Sequence, residues 1–275
     1  DDELSIAAQH YDPPTWASFC GGYVGATYTM TDTTVMSEVN SNPPNPYNDQ
    51  GIFARLDPSA LTFYGLNYDE VFGKVQMIHF YGTGYANMPS FNITPANQTI
   101  DLKLCVRDVG SEVYLVGQAW SGTTMLGECQ AVVDGTTPFD GYTVPVLASG
   151  ASGVYAMVNS NYVLEGIGPD DDLALQTRMD DWSVTDVDVL YPGDFNMDGK
   201  VDVSDLGILA GSYGATTGKT WSNGDANLNG AVDVEDLGIL AGNYGYGVTA
   251  AAAVPEPSML CLLGLGALSL LLRRR

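Results

Sequence analysis

Asp101-Leu102-Lys103-Leu104-Cys105-Val106-Arg107 decides the fold of the larger part of the chain. Successive side chains of an extended chain point to opposite faces, so Leu102, Leu104 and Val106 share one side while the charged Asp101, Lys103 and Arg107 share the other. That period of two is a half-buried antiparallel strand, apolar toward a core and polar away from it. Working outward, similar stretches read as strands at Gly25–Met30, Ile52–Leu56, Leu61–Leu66, Lys74–Phe80, Thr99–Arg107, Glu112–Trp120, Met125–Val133, Gly153–Val158 and Asp181–Leu190. Turn-forming clusters such as Asn42-Pro43-Pro44-Asn45-Pro46 and Asp134-Gly135 separate them. Nine strands in a single sheet would leave a whole face bare, so residues 1–190 are expected to fold as an antiparallel β-sandwich or jelly roll, mainly β.

A second signal lies beyond the sandwich, where the chain repeats itself. Val201-Asp202-Val203-Ser204-Asp205-Leu206-Gly207-Ile208-Leu209-Ala210-Gly211-Ser212-Tyr213-Gly214 recurs 31 residues later as Val232-Asp233-Val234-Glu235-Asp236-Leu237-Gly238-Ile239-Leu240-Ala241-Gly242-Asn243-Tyr244-Gly245. Ahead of each copy is an aspartate-rich loop with ligand-type residues at alternate places. The first holds Asp194, Asn196, Asp198, Asp202 and Asp205, the second Asp225, Asn227, Asn229, Asp233 and Asp236. Calcium is a hard cation that takes about six to eight oxygens, and odd-numbered side chains of a tight loop converge on one point. Gly199 and Gly230 stand where the loop must turn sharply. Lys200 and Ala231 would contribute their backbone carbonyls. Asp205 and Asp236 would close each shell from the first turn of a following helix, where a carboxylate also suits the helix dipole. The expected cofactor is therefore two Ca²⁺ ions, with the second site weaker because Asn229 replaces a carboxylate.

The helices behind the loops are short, and the spacing of Leu206, Leu209 and Tyr213, or of Leu237, Leu240 and Tyr244, predicts one apolar stripe on each. Neither helix buries such a stripe alone, so the two are expected to cover each other about a pseudo-twofold. In so small a unit metal binding would supply much of the folding energy.

The acidic balance, 33 Asp and Glu against 10 Lys and Arg for a net charge of −23, is the reverse of a nucleic-acid-binding surface. It suits solubility and divalent cations. Of the four cysteines, Cys261 lies in the apolar tail, and Cys105 and Cys129 fall on strands separated by a third. Two strand steps exceed disulfide reach, yet Cys20, Cys105 and Cys129 leave the disulfide state open. No cysteine spacing resembles a zinc site. The chain opens on Asp1-Asp2 rather than Met, which fits a removed export signal as well as an arbitrary starting point.

Three resemblances follow from these residues. Gly51-Ile52-Phe53-Ala54-Arg55 with Leu61-Thr62-Phe63-Tyr64, then Thr99-Ile100-Asp101-Leu102-Lys103-Leu104, then Met179-Asp180-Asp181-Trp182-Ser183-Val184, resemble the paired early strands, middle strand and returning last strand of the concanavalin-like (laminin-G-like) lectin fold. The duplicated loop and helix of residues 193–246 resemble a dockerin domain, a pair of half EF-hands (F-hands) with Asp rather than Glu at the twelfth loop position. That resemblance implies docking to a cohesin-like or other surface partner through Val203, Ser204, Ala210, Gly211, Val234, Glu235, Ala241 and Gly242. The hydroxyl pairs and basic residues of clostridial dockerins are missing at these places. Residues 247–253 form an alanine-rich linker. In residues 254–275, Pro255, Glu256 and Pro257, an apolar run from Met259 to Leu272, and Arg273, Arg274 and Arg275 resemble the PEP-CTERM sorting signal. This implies an exosortase partner, transient membrane anchoring and delivery to the cell surface or extracellular matrix. As a C-terminal helix the run would measure roughly 21 Å, short of the ~30 Å hydrocarbon core.

Three functional readings compete. The favoured one is a non-catalytic surface protein whose sandwich binds glycan, with Tyr81, Tyr85, Trp120 and Trp182 as candidate stacking rings. The second is a glycoside hydrolase carrying a docking module. It is disfavoured because the Glu-x-Asp-x-x-Glu strand motif of concanavalin-like hydrolases is absent, Asp69 and Glu70 are adjacent and so face opposite ways, Asp170-Asp171-Asp172 reads as a solvated loop, and His10 and His79 stand alone. The third is a spacer without a ligand.

Overall fold

The computed structural model describes residues 50–69, 72–82, 84–94, 99–155 and 190–248 in full, and residues 4–6, 17–24, 33–41, 48–49, 156–159 and 177–185 as backbone strands. Among the described residues, fourteen strands come in chain order: β1 Leu4–Ile6, β2 Ala17–Val24, β3 Thr33–Ser41, β4 Asn48–Asp57, β5 Thr62–Asp69, β6 Lys74–Tyr81, β7 Tyr85–Asn92, β8 Ile100–Val109, β9 Glu112–Ser121, β10 Thr124–Val133, β11 Pro138–Phe139, β12 Tyr142–Thr143, β13 Ala151–Asn159 and β14 Thr177–Thr185. Helices α1 (Val203–Ser212) and α2 (Val234–Asn243) follow, with a 3-10 turn at Trp221–Asn223 between them.

The strands form two six-stranded sheets, β1-β14-β3-β8-β9-β10 and β2-β13-β4-β5-β6-β7, together with the small hairpin β11-β12. The pairings are antiparallel. A core of Ile52, Tyr64, Leu66, Met77, Leu102, Leu104, Leu115 and Val154 fills the space between the sheets. The chain is thus mainly β, an antiparallel sandwich. Strand β4 pairs with β5, β8 lies between β3 and β9, and β14 returns beside β1. Six of the nine expected strands, from Ile52–Leu56 to Met125–Val133, lie within β4, β5, β6, β8, β9 and β10 to within a residue, because alternation marks them clearly. Gly153–Val158 falls in β13. The last strand ends at Thr185 rather than Leu190, and Gly25–Met30 lies outside the described residues.

Strand β7 escapes sequence reading because Pro89 interrupts it. It is the last strand of its sheet, where a missing N–H breaks no ladder. Beyond the sheets' shared core, Phe53, Phe63, Phe80 and Tyr155 form a second buried cluster on the other face of β4, β5, β6 and β13. Arg55 and Tyr64 fasten the segment after β12. Arg55 Nη1 donates to Asp108 Oδ1 at 2.7 Å and to Leu147 O at 2.6 Å, while Tyr64 Oη donates to Pro145 O and accepts from Leu147 N.

Cys105 and Cys129 sit on β8 and β10, with β9 between them, and on opposite faces of that sheet. Cys129 joins the inter-sheet core while Cys105 faces residues 190–240, so they do not pair with each other.

The outer face of β8, read from its charges as the polar side, is covered together with those of β9 and β10. Cys105 and Val116 pack into a common core with Leu190, Phe195, Val201, Leu209, Trp221, Val232 and Leu240. Arg107 donates to Leu190 O and lies 5.6 Å over the Tyr191 ring. The repeat region is therefore seated on the sandwich rather than hung from it. Among the described residues, no helix is long and apolar enough to cross a membrane, and the expected C-terminal apolar helix lies outside them.

Candidate metal loops on the outer face of the sandwich

Local chemistry folds the two loops identically. Asp194 Oδ2 accepts from Gly199 N at 2.8 Å and its Oδ1 from Asp198 N at 3.1 Å; Asp225 does the same with Gly230 and Asn229. Gly199 and Gly230 take φ of 82° and 85°, the left-handed turn that favours glycine. Met197 and Leu228 adopt φ of 56° as well, a costlier conformation that the sequence does not announce. Asp205 Oδ1 accepts from Phe195 N and Asn196 N, and its Oδ2 from Asp202 N; Asp236 repeats this with Ala226, Asn227 and Asp233. Asp202 and Asp233 cap the two helices by accepting from Ser204 N and Glu235 N.

The repeats exchange contacts about a pseudo-twofold. Gly214 N donates to Val232 O and Gly245 N to Val201 O, both at 2.8 Å; Val232 N meets Ala215 O and Val201 N meets Tyr246 O. Gly193 and Gly224, at φ 95° and 100°, come so close to Leu240 and Leu209 that a Cβ would lie 2.9 Å and 2.7 Å from their Cα atoms. Tyr191 stacks on Tyr246 at 3.3 Å, closing the two ends of the module on each other.

The expected apolar stripes need correction. Leu209 and Leu240 are buried, but Leu206 is exposed, Leu237 half-buried, and Tyr213 and Tyr244 are exposed by 53% and 54%. Each tyrosine is the C-cap of its helix, in extended backbone (φ −55°, ψ 132° for Tyr213), so it leaves the helical face. The aspartates take its place: Asp205 with Leu209, and Asp236 with Leu240, make up the buried positions.

Asp194, Asp205, Asp225 and Asp236 are fully buried, and among the described residues none of them is paired with a basic side chain. Burial pushes the Asp194 and Asp225 carboxyls up to about 6, against the opposing pull of their backbone N–H donors, and the neighbouring Asp205 or Asp236 carboxylate adds to the rise. Asp198 and Asn229 are exposed, and Asn196 and Asn227 accept from their backbone N–H groups at 3.1 Å. Among the described residues no group of three or more His, Cys, Asp and Glu side chains stands ready to hold a metal ion. A cage at either loop must therefore draw on Asn196 or Asn227 and on the carbonyls of Lys200 or Ala231. Such all-oxygen, mixed donor sets fit a hard cation such as calcium.

The expected partner-facing residues Val203, Ser204, Ala210, Gly211, Val234, Glu235, Ala241 and Gly242 are all exposed, Val203 and Val234 by 68% and 67%. Sequence reasoning missed the residues that join the module to the sheet. Trp221 N donates to Gln130 Oε1 at 2.8 Å and its indole Nε1 to Asp194 O at 2.8 Å; Gln130 Nε2 donates to Asp225 Oδ2 at 2.6 Å; Glu128 Oε1 accepts from Ser222 N and Oγ. Glu128 and Gln130 are polar residues on the outward face of an alternating strand, a pattern no different from that of solvent. Between Arg107, Tyr114, Trp221 and Ile239 a cleft of about 330 Å³ remains, so the seat is looser toward α2 than at Gln130.

Of the candidate sugar-stacking rings, Tyr81 stacks on Tyr142 at 4.4 Å as part of the packing around His79, Trp120 is half-buried with its Nε1 on Gln118 Oε1, and Tyr85 is exposed on edge strand β7. The Trp182 side chain, His10, Glu70 and Asp170-Asp171-Asp172 lie outside the described residues. His79 is fully buried among Tyr64, Tyr81 and Tyr142.

Residues 253–275 match the PEP-CTERM protein-sorting motif. That signal marks a protein that is exported and sorted in association with the membrane to the cell surface, and exosortase recognises it at the C-terminus. No curated protein matches the chain. Solved structures similar to the sandwich include the carbohydrate-binding module CBM66 of Bacillus subtilis (14% identity, 57% of this chain and 90% of that one, TM-score 0.36). They also include a β-1,3-1,4-glucanase from a mouse hindgut metagenome (11% identity, 66% and 77%, TM-score 0.37) and sheep galectin-11 (14%, 55% and 96%, TM-score 0.30). Scores this low carry neither residues nor activity across.

Proposed function

We propose that residues 193–246 are a dockerin-like docking module that takes up two calcium ions, on an exported surface protein whose sandwich binds glycan without catalysis. The observation that carries the module's reading is the burial of Asp194, Asp205, Asp225 and Asp236 with no basic partner among the described residues. Buried charge is tolerated when it is paired or coordinates a metal. Asp194, Asn196, Asp198, Asp202 and Asp205 with the Lys200 carbonyl would hold one ion. Asp225, Asn227, Asn229, Asp233 and Asp236 with the Ala231 carbonyl would hold the other. When bound, each ion supplies the positive charge that no basic side chain among the described residues brings to the buried carboxylates. The chain's own part is to hold the oxygens: glycine turns, N–H donors behind each carboxylate, and a capped helix after each loop. Two exposed faces related by the pseudo-twofold, around Val203-Ser204 with Ala210-Gly211 and around Val234-Glu235 with Ala241-Gly242, are left for a cohesin-like or other surface partner. The test is thermal unfolding of the full chain in calcium and in EDTA, beside the Asp205→Asn, Asp236→Asn double variant. Calcium is expected to raise the wild-type Tm and to leave the variant unmoved; equal Tm values for the wild type in both buffers would overturn the reading.

For the sandwich, the supporting feature is Tyr85, exposed beside a polar row in which Gln76 donates to Asn87 and Asn87 to Asp140. An exposed ring flanked by amides and a carboxylate is the chemistry that stacks on and hydrogen-bonds a sugar. Glycan-array binding that Tyr85→Ala abolishes is expected. Blank arrays for the wild type would remove the glycan part and leave the docking part intact.

A further inference from the structure

We propose that the β-sandwich completes the second calcium loop, with Gln130 of β10 as its positioning residue. This inference rests on the calcium reading above. The Gln130 amide is fully engaged: Nε2 donates to Asp225 Oδ2 at 2.6 Å and to Lys219 O at 3.3 Å, and Oε1 accepts from Trp221 N at 2.8 Å. The orientation is fixed, since turning the amide over would set its oxygen against a carboxylate and its NH2 against an N–H. Asp225 Oδ2 thus spends itself on Gly230 N and Gln130, while Oδ1 keeps one longer bond from Asn229 N and is the oxygen free to face a cation.

The two loops differ here in what supports their first-position carboxylate. Among the described residues, the Asp194 carboxylate takes only the backbone N–H groups of Asp198 and Gly199, with no side chain behind it. Loop 2 is also the one with a carboxylate fewer, Asn229 standing where loop 1 has Asp198. The sandwich therefore backs the loop that is weaker in charge. Glu128 anchors the same junction through Ser222, two residues along the strand from Gln130. Groups that orient a metal ligand from behind are typically worth about 10–100-fold in affinity, and here that group belongs to a different part of the chain. Cation uptake at loop 2 then reports on the seating of the module at Gln130, whereas loop 1 meets the sheet through Lys103 and Met197, with no sheet side chain on its first-position carboxylate among the described residues.

The test is calorimetric titration of the full chain with CaCl2, comparing wild type with Gln130→Met, which keeps the bulk and loses the amide. Asp198→Ala and Asn229→Ala, both at exposed loop positions, weaken one loop each and so assign the two sites. Gln130→Met is expected to weaken loop 2 by about 10–100-fold and to leave loop 1 within about twofold, a split that general loosening of the fold would not produce. Should Gln130→Met fail to fold, Gln130→Asn, which keeps the amide but draws it back by one methylene, is expected to give the same split. Two sites of unchanged affinity, or equal losses at both, would overturn the proposal while leaving the calcium reading standing. A wild type that takes up no calcium would overturn that reading, and this proposal with it.

Discussion

At the scale of single residues, His79 shows how burial sets a pH dependence. It lies on the inner face of β6 with Tyr142 stacked 5.8 Å away, and burial pushes its pKa down to about 4 from an ordinary 6.5. The folded state thus holds a neutral imidazole where the unfolded chain binds a proton. Stability from this group is complete above pH 6.5 and is lost as pH falls through that value toward about 4. The Tm of His79→Phe is expected to be flatter than that of the wild type across this window, as thermal unfolding at a series of pH values would show; parallel profiles would contradict it. The sequence shows His79 standing alone, and the structure makes it a packing residue. Gly193 and Gly224 gave no such sign. Their importance lies in a positive φ and a close approach to the other repeat's helix, both of which only three-dimensional folding reveals. Gly224→Ala is expected to cost about 1–3 kcal/mol by combining backbone strain with overpacking, measured by urea denaturation.

At the scale of elements, the tie between β5 and the segment after β12 runs through one hydroxyl. Tyr64 Oη donates to Pro145 O and accepts from Leu147 N, both at 2.8 Å, so Tyr64→Phe leaves two backbone groups without their partner. A loss of about 1–3 kcal/mol is expected by chemical denaturation. The loops carry an opposite pH sign from His79. Asp194 and Asp225, at about 6 rather than the usual 3.8, hold a proton in the fold that the unfolded chain releases. The stability these two carboxyls contribute to the cation-free module is therefore complete below about pH 3.8 and is lost as pH rises through 6. On the proposed calcium reading the cation would compete with the same proton, so its apparent affinity is expected to fall as pH drops below about 6, which titrations at pH 5 and 7.5 would compare. Alternation made β4, β5, β6 and β8–β10 readable from sequence, and repetition did the same for the loops. What stayed hidden were elements whose pattern is broken for a reason: β7 by the edge Pro89, and the helix stripes by Tyr213 and Tyr244, whose extended backbone takes them off the helical face.

At the scale of the whole molecule, the repeat region and the sandwich share one core through Cys105, Val116, Phe195 and Trp221. Sequence periodicity put charges on the outer face of β8 and could not tell a solvated face from a seat. Lys103, Arg107, Glu128 and Gln130 are polar in either case, and here they meet Met197, Leu190, Ser222 and Asp225. Ligand binding to the native state alone stabilises it by mass action, so calcium is expected to protect the sheet as well as the loops. Hydrogen exchange should slow at β9 and β10 when the cation is added, with β5 and β6 less affected. The PEP-CTERM signal at residues 253–275 places this assembly on an exported chain.

The most direct measurement is equilibrium dialysis of the full chain against radioactive calcium at neutral pH. Two ions retained per chain, reduced to one by Asp205→Asn, is the predicted result; no retained ion at millimolar free calcium would contradict the account.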